Sequence, residues 1–426
     1  MCGEVTKTPI LTSAEQRLLR AAAKGDLADF RATDPADNQP LQGSSWSDQR
    51  TLSAEVVRAL ATGGDPRWNV HSAGLRIAGA RIAGALDLAH VEIHFPLAFI
   101  GCSFERELSL RNASVNAVFL GGSALPGFDA RSLRADSDVQ LCDGFRTNGT
   151  VRLDHATIAG NLSFNGADLH SDGCALTADS ATIGRHLLMS NGFKAAGEVS
   201  TRYARIGGLF YCSHGRFDNP QGVALNADGV TVNGDMVMSN GFLATGEVSM
   251  RGARLRQLLY CAHGTFRNPG ADALLADDAE IDGRAFLGEW FSAKGCVRLP
   301  GARLAGDLYC VGGIFQNAGG DAILADGISV AGNVRMHTRF LAQGAVRLAN
   351  STIGATLNCS AGRFENSGGV ALSADGATIS GDVILTNGFR ADGSVLLSGA
   401  KIGGALESEG GDCDRIILDD AVIDQR

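Results

Sequence analysis

The chain has 426 residues, 45% of them apolar, with 56 glycines, only 9 prolines and a formal net charge of −9. It is too apolar for a disordered chain and lacks the proline and every-third glycine of collagen. The acidic balance argues against a basic nucleic-acid groove. No unbroken apolar run is long enough to predict a transmembrane helix.

The opening stretch MCGEVTKTPILTSAEQ lacks the apolar core of a secretory signal, so a cytoplasmic location is the expectation. Met1-Cys2-Gly3 matches the exposed N-terminal cysteine of class II glutamine amidotransferases over this tripeptide only. The sandwich fold of that chemistry conflicts with the repeat described below. Ser13 followed three positions on by Gln16 predicts a capped helix start before AEQRLLRAAAKG, and LSAEVVRALAT at 52–62 predicts a second amphipathic helix. Residues 1–74 therefore read as a helical cap over the open end of a solenoid. Residues 75–135 read as irregular first coils.

From there the sequence repeats. Apolar anchors at Ile183, Ile206, Val232, Leu255, Ile281, Leu304, Val330, Ile353, Ile379 and Ile402 alternate between a step of 23 and a step of 26. The two steps together make one double unit. Within a unit the periodicity is two: Ile379, Gly381, Val383 and Leu385 share one side, Ser380, Asp382 and Ile384 the other, which predicts strands with one buried face. Asn-Gly corners follow at 190–193, 239–242 and 386–389, where the chain needs positive φ. The predicted fold is all-β, a right-handed parallel β-helix over 75–426. About 14 or 15 coils would span on the order of 70 Å.

Two columns support it. Nine of the 19 phenylalanines, from Phe193 to Phe389, recur at steps of 24 or 25, one per coil. Cys212, Cys261, Cys310 and Cys359 each lie one double unit apart and alternate with Met189, Met238, Leu287, Met336 and Leu385, a core stack of soft side chains. Cysteines two coils apart are roughly 10 Å away, beyond disulfide reach.

The same regularity removes candidate chemistry. Asp179, Asp228, Asp277, Asp326 and Asp375 recur at Ala-Asp corners, as turn residues do, whereas catalytic carboxylates form one close pair. Asp277–Asp278 and Asp419–Asp420 are local pairs without the companions of a pectinase site. His214 and His263 are two coils apart, too far to share a metal. No metal, cofactor or catalytic residue is assigned.

What remains faces outward. The slot beside the Cys/Met column reads Leu188, Tyr211, Val237, Tyr260, Phe286, Tyr309, Arg335, Asn358, and Leu209 and Leu258 add to it. An apolar and aromatic strip on an outer face predicts a contact surface. Arg185 and Gln257 stand where other coils carry glycine, leaving open whether that slot is buried.

GLRIAGARIAGALDL at 74–88, FPLAFIGCSF at 95–104 and the tandem GFxAxGxVxLxGAxIGGxL units resemble a family of bacterial repeat proteins often labelled membrane-associated oxidoreductases. The resemblance spans nearly the whole chain, including LTSAEQRLLRAAAKGD and the region from Trp46 to Leu60. It implies a repeat fold and brings no nucleotide-binding signature. Three functions follow for testing. The first is a non-catalytic scaffold or binding rod that acts through the strip, by self-association or on a protein partner, with peripheral membrane contact left open and any small-molecule ligand unidentified. The second is an enzyme working on a glycan or redox substrate in a groove. The third is an acidic mimic of DNA that binds a topoisomerase, as pentapeptide-repeat rods do. Those rods have a five-residue period and shorter, four-sided coils, and this chain's coils read as longer.

Overall fold

The computed structural model describes residues 11–65 and 67–425, so Met1-Cys2-Gly3 and the start of the MCGEVTKTPILTSAEQ stretch lie outside the described residues. The chain is all-β, about 15 coils of a parallel β-solenoid with few helices. It forms two compact units, up to His170 and from Ser171 onward.

In the first unit, helix α1 (Ser13–Lys24) is capped by Thr12, not Ser13. The Thr12 hydroxyl accepts from the Glu15 N–H at 3.2 Å, and Glu15 accepts from the Thr12 N–H at 2.8 Å. The box is thus set one position earlier than the sequence pattern suggests, because Glu15, not Gln16, has a second task. Its other oxygen accepts from the Ser53 N–H at 3.2 Å, joining α1 to the start of helix α2 (Ala54–Thr62). The N-terminal region is more than a helical cap. Ala28–Asp29 pairs with Ile77–Ala78, and Thr51–Ser53 pairs with Arg81–Ala83, so the segment lays down a partial rung that satisfies the strand edge beneath it.

Residues 75–135 are regular, contrary to the expectation. Leu75, Leu97, Val118 and Val139 face one another in successive parallel pairs, stepping 22, 21 and 21 positions. One coil carries four short strands, Ser114–Val115, Val118–Phe119, Ala124–Leu125 and Phe128–Asp129. The buried positions run Leu108, Leu110, Ala113, Val115, Val118, Leu120, Ser123, Leu125, Phe128, Ala130, Leu133 and Ala135, alternating steps of two and three. A two-residue strand followed by a turn gives this five-residue period. The turns are closed by bonds such as Ala113 N–H to Leu110 O and Ser123 N–H to Leu120 O, 3.0 and 3.1 Å. The four-sided, five-residue geometry set aside from the sequence is therefore present in this unit.

The second unit has three strands per coil. Face 1 holds two-residue strands such as Arg205–Ile206, face 2 those such as Phe210–Tyr211, and face 3 longer ones such as Arg216–Asn226 and Leu243–Ser249. The stretch read as one alternating strand at 378–385 is two, Thr378–Ile379 and Val383–Ile384, with a bend at Gly381. Arg185 and Gln257, which share that bend slot, are both exposed, so neither is a buried polar group in need of a partner. On face 3, 7-residue and 11-residue strands alternate, and the surplus is taken up by a bulge between Asp218 and Leu225. Gly246 makes this fit: its φ is +110, and a Cβ there would sit 2.2 Å from the Asn219 carbonyl oxygen.

The phenylalanine rings stack at 4.9–5.4 Å from Phe193 through Phe389, yet they do not share a backbone slot. Phe217 pairs across the ladder with Ala195 and Ala244, two positions beyond Phe193 and Phe242. Small buried alanines in alternate coils leave room for rings that lean in from the preceding corner. The Met189-to-Leu385 column is fully buried, and every described cysteine is a free thiol.

Candidate functional site

The strip is built by face 2 of the second unit. Leu188, Tyr211, Val237, Tyr260, Phe286 and Tyr309 each occupy the second position of a two-residue strand and face one another in unbroken register, continuing to Arg335 and Asn358. Their inward neighbours, Leu187, Phe210, Met236, Leu259, Ala285 and Leu308, are buried in the core, which forces the second residue of each strand outward. Tyr260 and Phe286 stack at 5.4 Å, Phe286 and Tyr309 at 5.1 Å. All six are half-buried, each side chain shielding the next.

Leu209 and Leu258 sit at the bend just before their strands. Each lies over a glycine of the next coil, Leu209 Cδ2 over Gly234 and Leu258 Cδ2 over Gly283. Their backbone N–H groups donate to the coil before, to His186 Nδ1 and Asp235 Oδ1, both at 3.0 Å. All eight residues read from the sequence thus fall on one face of one unit.

The sequence reading missed a ninth, Trp290. It is 61% exposed at the corner that follows the Phe286 strand. Gly288, two positions before it, lies under the Tyr309 ring, since a Cβ there would be 3.0 Å from Tyr309 Cδ1 and Cε1. Trp290 has φ +67, where three equivalent corners carry Gly192, Gly241 and Gly388 and a fourth carries Arg339 at φ +64. A signal was there to find: the corner motif SNGF or TNGF becomes GEWF at 288–291 and HTRF at 337–340.

The groups set aside as chemistry are held in structural bonds. Asp228 accepts from Ser249 Oγ at 2.5 Å and from the Arg251 N–H at 2.9 Å; Asp326 accepts from the Ala349 N–H at 3.0 Å and from Arg347 Nη2 at 2.6 Å. Each of these corner aspartates so ties its coil to the next. His214 and His263 are exposed at separate corners, and no group of three metal-ligating side chains converges among the described residues. Burial pushes the thiols of Cys212, Cys261, Cys310 and Cys359 far above their ordinary value, which leaves them protonated and poor nucleophiles.

Fold and surface together define a class, a parallel β-solenoid carrying an outward aromatic ladder. Searches against protein-family models, curated proteins and solved structures find no match to this chain.

Proposed function

We propose that this chain is a non-catalytic binding solenoid whose partner is a second copy of itself, engaged through the face-2 strip. The observation that carries this reading is the Tyr260–Phe286–Tyr309 ring ladder beside an exposed Trp290. Tyr and Trp are the residues that most often anchor interfaces, having one apolar face and a polar tip. A second copy suits the strip for a geometric reason. Rings set at rung pitch interdigitate best with a surface of the same pitch, and a two-fold axis brings two such rows together. Mixed charge on the first unit's four-sided coils, with Arg106, Arg111, Arg131 and Arg134 among its acidic residues, disfavours a mimic of DNA, which needs a continuous acidic face.

Sedimentation velocity of the full chain at rising concentration tests the reading. A reversible dimer is expected, and Tyr260→Asp should weaken it at least ~10-fold with unchanged circular dichroism. A wild-type chain that stays monomeric, or a variant that dimerises normally, overturns it.

A further inference from the structure

The first unit carries a separate hollow built from its own ladder. The outward residues Arg76, Ala98, Phe119 and Gln140 stand side by side in register on four adjacent rungs. A small alanine between two long side chains opens a notch. At the usual strand spacing its walls, Arg76 and Phe119, stand about 10 Å apart. Ala98 forms its floor, only 7% exposed although its side chain points outward. Beside it, Ile100 and the glycines at 101, 121 and 122 extend the hollow, and Arg31, Asn38 and Pro40 of the N-terminal segment close one side. The space amounts to about 650 Å³, within the range of small-molecule sites.

Charge is unevenly spent around it. Arg31 is held by Asp29, Nε to Oδ1 at 2.9 Å and Nη2 to Oδ2 at 2.5 Å. Arg76, exposed at the rim, forms no ion pair or hydrogen bond among the described residues. At the far end the Cys142 thiol donates to Asp143 Oδ2 at 3.0 Å. Burial and that carboxylate push the thiol up to about 12, so it stays protonated and supplies no nucleophile. The hollow therefore offers one uncommitted cation at the Arg76 end, an aromatic wall and an apolar floor, with the Asp143 carboxylate three rungs away at the other end.

The geometry points to a binding site for an anionic amphiphile, whose acidic head pairs with Arg76 while its apolar body lies over Ala98 between Phe119 and Ile100. This inference stands apart from the face-2 strip. Titration calorimetry of the full chain with octanoate and with 1-octanol tests it. Octanoate should bind one per chain, and Arg76→Gln should weaken it at least tenfold while changing octanol less than twofold. Ala98→Phe, which fills the notch, should abolish both. If that variant melts early, Ile100→Asp, at an exposed position, should weaken both ligands and octanoate severalfold more than octanol. No octanoate binding to the wild type, binding unchanged in the notch variants, or equal loss of both ligands in Arg76→Gln overturns the inference.

Discussion

Trp290 is a residue that the fold would not choose. In left-handed backbone an L side chain costs about 1 kcal/mol over glycine, and three sister corners use glycine at φ +84 to +88 while the next one along carries Arg339 at φ +64. A costly residue, exposed and aromatic, points to a use on the surface rather than in the core. Trp290→Gly should therefore raise the unfolding free energy by up to about 1 kcal/mol in urea titration while weakening self-association. Loss of stability in that variant would place Trp290 in the fold's own support. The eight strip residues were legible because period two separates inward from outward. Trp290 was not, because it appears as a missing Asn-Gly rather than as a motif.

The coil is held to its neighbours by acceptors as well as by packing. Asp307, on the approach to the Tyr309 strand, accepts from the Asn333 N–H and Nδ2 at 2.8 and 3.1 Å and from Arg335 Nε at 3.1 Å. Burial alone would raise its carboxyl, but the Asn333 bonds and the Arg335 charge outweigh it and hold it below the ordinary value of 3.8. A depressed folded-state pKa contributes stability that is present at neutral pH and lost as pH falls through that value. Asp307→Asn should accordingly lower the unfolding free energy at pH 7 by on the order of 1 kcal/mol, and in urea titrations the gap should narrow as pH falls below the ordinary value of 3.8. An unchanged gap at acid pH would mean that the ion pair contributes nothing.

The same element scale explains the phenylalanine stack. Its steps of 24 and 25 already disagreed with anchor steps of 23 and 26, and the structure resolves the mismatch by setting rings on two backbone slots. The five-residue period of the first unit went unseen for a related reason. Its inward positions include Ala113, Ser123 and Ala130, too small to register as apolar anchors, and turns lengthened by one position near 139–153 blur the spacing.

At the scale of the whole chain, stability is close to a sum of nearest-coil terms, because each coil touches little beyond the next. Phe266→Ala, which removes a buried ring stacked between Phe242 and Phe291, should cost about 3–5 kcal/mol. Native-state hydrogen exchange should find that cost concentrated in the adjoining coils, with amides near 110–140 little changed; an equal rise everywhere would show a single cooperative block. Long-range regularity is what the sequence displays most openly, since a solenoid writes each contact as a repeated spacing. A site made by departure from the repeat, such as the Ala98 notch, is silent until neighbouring rungs are laid side by side.

The double unit also bears on how such a chain changes length. Tyr211, Tyr260, Tyr309 and Asn358 hold equivalent ladder positions, each two rungs from the last. Recombination between two like segments of the gene would delete or duplicate a block whose cut ends already match in backbone and neighbours. Coil number is then free to drift at little structural cost, while loss of the block from Cys261 to Tyr309 would take Phe286, Tyr309 and Trp290 out of the strip, breaking its ring ladder and keeping the fold.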